Sequence, residues 1–310
     1  MAGPTCSGKS ALAMRLAGVL GGVVINADSM QVYRELRVLT ARPTVEDEAR
    51  VPHALYGVRA AAEPGSAAWW RGAALAEMEA AASAGRVPIL TGGTGLYLAA
   101  LTGGIADIPD PGAEARAEAR GLLAAEGAGA LHARLAIVDP ETAAGLRASD
   151  SQRVARAWEV WRGTGRGLAE WYRAAPAPAP WGFRMVLLDP PREALRAAIA
   201  GRFAAMLEGG ALEEVRALLA LGLDPALPAM RAHGVPELSE FLARGITLAE
   251  AARRATLATG QYLKRQATWL RGRSPVPPAQ THTIYARYAG CTQFPESDWC
   301  DLVQFVKGPG

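Results

Sequence analysis

Eight residues at the start of the chain, Gly3-Pro4-Thr5-Cys6-Ser7-Gly8-Lys9-Ser10, have the composition and spacing of a loop that holds phosphate. Its glycines let backbone amides curl round an anion, and a following helix turns its positive end toward that anion. Lys9 adds a full positive charge, and the Ser10 hydroxyl is placed to ligate Mg²⁺. The second residue with chemical potential is Asp28, in Asn26-Ala27-Asp28-Ser29-Met30-Gln31. A carboxylate at the carboxyl end of a strand lies on the same sheet edge as the loop, where it could accept a proton from a nucleophile attacking a diphosphate-bearing substrate. Aspartate is also a common helix N-cap, so the spacing alone leaves both roles open.

Positioning these groups requires strands that end near one another. Apolar runs at 22–26, 55–58 and 87–91 read as strands, with helical spacing over 9–20 and 67–84 between them. Strand alternating with helix predicts an α/β fold with a parallel sheet, in which residues 1–108 form the first part of a phosphate-loop core resembling nucleoside triphosphatases. Residues 109–175 are helical throughout and read as an inserted subdomain. The core resumes over 176–273 with a strand at 183–188 and helices near 192–207, 212–221 and 248–271. A phosphate loop normally follows a buried strand, yet only Met1 and Ala2 precede it here, so the first strand is expected to be missing and to leave an apolar slot. The tail, 274–310, is expected to be poorly ordered, although Phe294, Trp299 and Phe305 could pack on the body.

Composition narrows the classes. The 310 residues are 50% hydrophobic and 20% charged, which excludes a disordered chain. No uncharged apolar run reaches the length of a membrane span, and no signal peptide is visible, so a cytoplasmic protein with no membrane partner is expected. Three scattered cysteines make no disulfide framework, and four histidines show no metal-binding spacing. Residues 1–150 carry 13 basic and 16 acidic side chains, while 151–273 carry 18 and 11. That net +7 segment favours a polyanionic partner. Arg153 and Arg156 stand three apart on a helix whose other face is apolar, a pattern that fits either phosphate contact or a solvated face.

From the loop and Asp28 onward the sequence resembles the tRNA dimethylallyltransferases, also called tRNA isopentenyltransferases. The blocks that carry the resemblance are Thr40-Ala-Arg42-Pro43, Gly92-Gly93-Thr94-Gly95-Leu96-Tyr97, Ser151-Gln152-Arg153-Val154-Ala155-Arg156-Ala157, Met206-Leu-Glu-Gly-Gly, Glu214-Val-Arg216 and Gln261-Tyr-Leu-Lys264-Arg265-Gln266-Ala-Thr-Trp269. They run in order from residue 3 to about 273. The chain departs from the family pattern at Gly260, where an arginine is usual, and at Val235-Pro236, where an aromatic-Arg pair is usual.

The resemblance implies transfer of a dimethylallyl group from its diphosphate to N6 of the adenosine 3′-adjacent to the anticodon in tRNA, with release of diphosphate. It implies that Gly3 to Ser10 hold diphosphate and Mg²⁺, with Lys9 and Ser10 joining Asp28 in the catalytic set, and that Asp28 takes or orients the N6 proton. Ser29, Met30 and Gln31 would contact the flipped adenine, and Thr94 and Arg116 would line the channel between the substrates. Gln152, Arg153, Val154, Ala155, Arg156, Arg231 and Arg265 would grip the tRNA anticodon stem-loop, with the enzyme acting as a monomer. Three alternatives remain: a nucleotide kinase or ATPase using Asp189 for magnesium, an adenylate isopentenyltransferase acting on free nucleotide, and a non-catalytic RNA-binding module.

Overall fold

Short buried strands need apolar cover on both faces, and the strand-helix alternation supplies it. In the computed structural model, which describes residues 1–290 and 295–308, the chain divides into two compact units, one of Met1–Thr102 with Ala179–Gly310 and the other of Gly103–Pro178. In the first unit, helix α1 (Lys9–Leu20) leads to β1 (Val23–Asn26), α2 (Val45–Arg50), β2 (His53–Ala54), α3 (Ala67–Ser83), β3 (Pro88–Thr91) and α4 (Gly95–Gly103). β1 lies between β2 and β3, parallel to both, with Val24 opposite His53 and Ile89. The strand expected at 55–58 sits instead at His53–Ala54, because Leu55 adopts a φ of 64° and turns the chain.

The second unit is helical: α5 (Gly112–Val138), α6 (Pro140–Ala144), α7 (Ser151–Thr164) and α8 (Leu168–Arg173). By length and composition α5 could cross a bilayer. It is, however, broken at Gly127, which has a φ of 80°, and carries Glu126 and Arg134 as an ion pair at 2.7 Å. Its Leu131 and Leu135 are fully buried in a cluster with Val154 and Trp158 of α7.

The chain returns to the first unit as β4 (Met185–Leu188), followed by α9 (Arg192–Glu208), α10 (Ala211–Ala220), a 3₁₀ turn at Ala229–Arg231, α11 (Val235–Leu242) and α12 (Leu248–Gly272). Among the described residues no strand precedes α1, as expected, and only isolated bridges occupy that position. Ala2 bridges in parallel to both Gly92 and Leu187. Its N–H donates to Val186 C=O at 2.8 Å and its C=O accepts from Leu188 N–H at 2.9 Å, so one residue ties β3 to β4. Along the line behind it lies a cavity of about 600 Å³ whose walls include Pro88, Leu90, Met185 and Val186. The Met1 ammonium donates to Leu90 C=O at 2.9 Å, and burial lowers its pKa to about 5.

The tail is folded where it is described, contrary to expectation. Strand β5 (Thr281–Ile284) runs parallel to β4, with Ile284 opposite Leu188. Helix α13 (Glu296–Lys307) buries Leu302 against the apolar cluster that includes Leu12 and Leu16 of α1. The Arg15 guanidinium lies 3.6 Å from the Trp299 ring centroid. The physical reason is that β4 would otherwise present unpaired backbone along its outer edge, which β5 covers. Phe305 packs partly buried in the same cluster, while Phe294 lies outside the described residues.

Candidate active site

The loop connects Ala2 to α1 and is shaped by two residues at positive φ, Cys6 at 63° and Gly8 at 89°. Ser7 N–H closes a turn on Pro4 C=O at 3.2 Å, and Gly8 caps α1. Gly3 and Pro4 are buried beneath the turn, and Thr5 is half-buried. Lys9 Nζ donates to Pro4 C=O at 3.4 Å, which folds the ammonium back over the loop. Desolvation lowers the Lys9 pKa, opposed mainly by the negative charge of Asp28 and reinforced by Arg202. The buried Ser7 hydroxyl has no hydrogen-bond partner among the described residues. An orphan donor beside a half-buried cation is a cradle suited to anionic oxygens.

Asp28 follows β1 and is held by a local lattice. Its N–H donates to Asn26 Oδ1 at 2.8 Å, and its Oδ1 accepts from Met30 N–H at 2.9 Å. No helix begins there, so the helix-capping reading falls and an Asx turn takes its place. Asn26 is buried. Its amide donates to Asp28 C=O and Leu55 C=O, and its own C=O accepts from Trp70 Nε1–H at 2.7 Å. Thr94 Oγ1 accepts from Ser29 N–H at 3.0 Å, which ties the Asp28 segment to the loop after β3. Met30 lines the cleft with Asp28. The Gln31 amide instead donates to Thr40 C=O and Ala41 C=O at 2.8 and 3.0 Å, so it braces the following turn.

Several residues that the sequence did not single out complete the cleft. Arg202 of α9 donates to Thr5 Oγ1 at 3.1 Å and reaches Cys6 Sγ at 3.8 Å, placing a second cation beside Lys9. Tyr262 and His233 share the cleft with Asp28, their rings 5.0 Å apart. Burial and the nearby Asp28 charge push the Tyr262 phenol up to about 12, and burial lowers the His233 pKa. Both therefore face the cleft uncharged at neutral pH. Glu214 accepts from the backbone N–H groups of Arg37, Val38 and Leu39 at 2.6, 2.7 and 2.9 Å, fixing the turn that carries Leu39 and Thr40 into the cleft wall. Tyr262 and Glu214 fall within the quoted sequence blocks, but Arg202 and His233 carry no local signal.

Arg231 and Arg265 are exposed on the first unit, with Arg265 5.7 Å from the Tyr262 ring centroid. Arg253 and Arg254 are ion-paired with Glu250, as a surface-charge reading would have it. In the helical unit, Arg116 pairs with Asp110, Arg153 with Asp150 at 3.5 Å and Arg156 with Glu159 at 3.3 Å, while Gln152 is exposed. Helical geometry turns Val154 and Ala155 into the unit's core at 0% and 9% exposure, so their side chains are not on the surface with Gln152 and Arg153. Asp189, the residue a kinase would use for magnesium, is held by Arg271 in a two-pronged pair at 2.7 and 2.8 Å.

No group of three His, Cys, Asp or Glu side chains gathers to cage a metal among the described residues. Ser10 is exposed at the start of α1. One hydroxyl suits a Mg²⁺ ion that takes most of its oxygens from phosphate and water, which is the usual manner of that ion.

The family model described as IPP transferase matches residues 31–273, and that described as isopentenyl transferase matches residues 1–54. The tRNA dimethylallyltransferase of Granulibacter bethesdensis is 60% identical over 308 residues, 99% of this chain and 97% of the relative. That of Gluconacetobacter diazotrophicus is 63% identical, covering 99% and 92%. Among solved structures, the tRNA isopentenylpyrophosphate transferase of Bacillus halodurans superposes with a TM-score of 0.68 at 30% identity, over 99% of this chain and 94% of the other. The chain belongs to the IPP transferase family.

Proposed function

We propose that this protein is a tRNA dimethylallyltransferase, a cytoplasmic monomer built on a phosphate-loop nucleotide-binding core. The observation that carries the reading is the convergence of a cationic loop, with Lys9 and Arg202, and the Asp28 carboxylate on one cleft. Gly3 to Ser10 bind the diphosphate of dimethylallyl diphosphate through backbone amides, the Ser7 hydroxyl and Lys9. Ser10 would hold Mg²⁺, which supplies further neutralisation of the diphosphate charge.

The target adenosine must leave its stack to reach the cleft. Ser29, Met30 and Thr94 lie beside Asp28 to receive the base. Gln152, Arg153, Arg156, Arg231 and Arg265 contact tRNA phosphates. The N6 lone pair forms the new C–N bond with the allylic carbon as that carbon's bond to diphosphate oxygen breaks. The leaving electron pair goes to the diphosphate, where Lys9 and Arg202 stabilise it, and the N6 proton passes to Asp28. The uncharged His233 and Tyr262 rings give the dimethylallyl group an apolar wall.

Incubation with labelled dimethylallyl diphosphate and unmodified tRNA should place label in the RNA. Label appearing only in free adenine nucleotide would support the adenylate isopentenyltransferase reading, and label in neither would remove prenyl transfer altogether.

A further inference from the structure

Beyond β5 the chain crosses the outer side of the phosphate loop. Tyr288 N–H donates to Ser7 C=O at 2.9 Å, and Arg287 Nε–H donates to Cys6 C=O at 2.9 Å. The approach is close, since a Cβ on Gly8 would lie 2.1 Å from Tyr288 O. Tyr288 is 4% exposed. Two anchors hold the crossing segment: the β4–β5 pairing, which ends at Ile284, and α13, which is fixed to α1 through Leu302 and Trp299. None of these contacts takes part in the chemistry described above.

Their effect follows from the planar peptide group. In a trans peptide the carbonyl of one residue and the N–H of the next point in opposite directions. Fixing the Ser7 carbonyl on Tyr288 therefore turns Gly8 N–H away from the tail, toward the inside of the loop. Holding the Cys6 carbonyl on Arg287 likewise fixes the preceding peptide plane, whose Ser7 N–H closes the turn on Pro4 C=O, and supports Cys6 in a backbone region that side chains disfavour. An unrestrained loop could turn either carbonyl inward, setting a partial negative charge against an anion.

We propose that residues 285–288 form a strap that sets the peptide planes of the phosphate loop and thereby its affinity for diphosphate, with Arg287 as a positioning residue. The inference rests on the reading of Gly3 to Ser10 as the diphosphate site. It makes the chain's late residues part of the substrate site without touching substrate.

Inorganic diphosphate binding to the full chain, measured by calorimetry, is the direct test. Arg287→Ala should weaken it about tenfold, as loss of a charged hydrogen bond would. The KM for dimethylallyl diphosphate should rise in step, with kcat and tRNA affinity within about twofold of the parent. Arg287→Lys keeps a donor for Cys6 C=O and should recover most of the loss, whereas equal defects in both variants would overturn the role assigned to this donor. Unchanged diphosphate affinity in Arg287→Ala would overturn it too. If that variant does not fold, the parent chain answers by hydrogen exchange, because linkage is reciprocal. The Tyr288 amide should exchange more slowly with saturating inorganic diphosphate, and an unchanged rate would sink the strap. Diphosphate effects as expected in a chain that prenylates no tRNA would uphold the strap and reject the proposed reaction.

Discussion

Gln266 holds Thr5. The side chain of this α12 residue, 4% exposed, accepts from Thr5 N–H at 2.9 Å and donates to Gly93 C=O at 3.0 Å, so one amide joins the phosphate loop to the loop after β3. A Cβ on Gly93 would lie 2.1 Å from Gln266 Nε2, so that residue must be glycine for the bridge to close. Gln266→Ala leaves a donor and an acceptor unpaired and should cost about 1–3 kcal/mol for each. Thermal melts should show the loss, together with weaker inorganic diphosphate binding. A melt and affinity equal to the parent's would show that water replaces the bridge.

Asp28→Asn should leave both substrates bound and slow the chemical step. The amide keeps an oxygen for Met30 N–H but cannot accept the N6 proton. Removing a general base typically costs about 100-fold to 10,000-fold. Single-turnover rates within about threefold of the parent would leave Asp28 with only its turn-forming role.

Affinity for tRNA should fall steeply with salt. Arg265→Ala and Arg153→Ala should each reduce the slope of log affinity against log salt by about one unit if each meets one phosphate. Arg253→Ala should not, because that guanidinium is already engaged with Glu250 at 2.7 and 2.8 Å. Fluorescence anisotropy across a salt series separates the two groups.

Local pattern made the turn before α1, the end of β1 at Asp28 and the strand-helix alternation legible in the sequence, because each is written in consecutive residues. What escaped depends on distance along the chain. Arg202 meets Thr5 across nearly two hundred residues, and Arg287 meets Cys6 from the other end of the molecule. β5 lies in the tail expected to be poorly ordered, because its stability comes from the β4 edge that it covers and not from its own residues. Val154 and Ala155 stand in one block with Gln152, Arg153 and Arg156, and only the facing of the helix shows that they are buried while the others are not. Gln31 lies beside Asp28, yet its amide is already bound to a neighbouring turn.

The Tyr288 and Arg287 contacts also have a consequence for biosynthesis. The loop leaves the ribosome well before the residues that brace it. Domains generally begin folding from the amino-terminal side as they emerge, and pairing residue 7 with residue 288 must await synthesis of everything between them. A nascent chain can thus assemble most of its helices and sheet while the diphosphate cradle is still loose. The loop then reaches its braced shape only after residues 287 and 288 have been made.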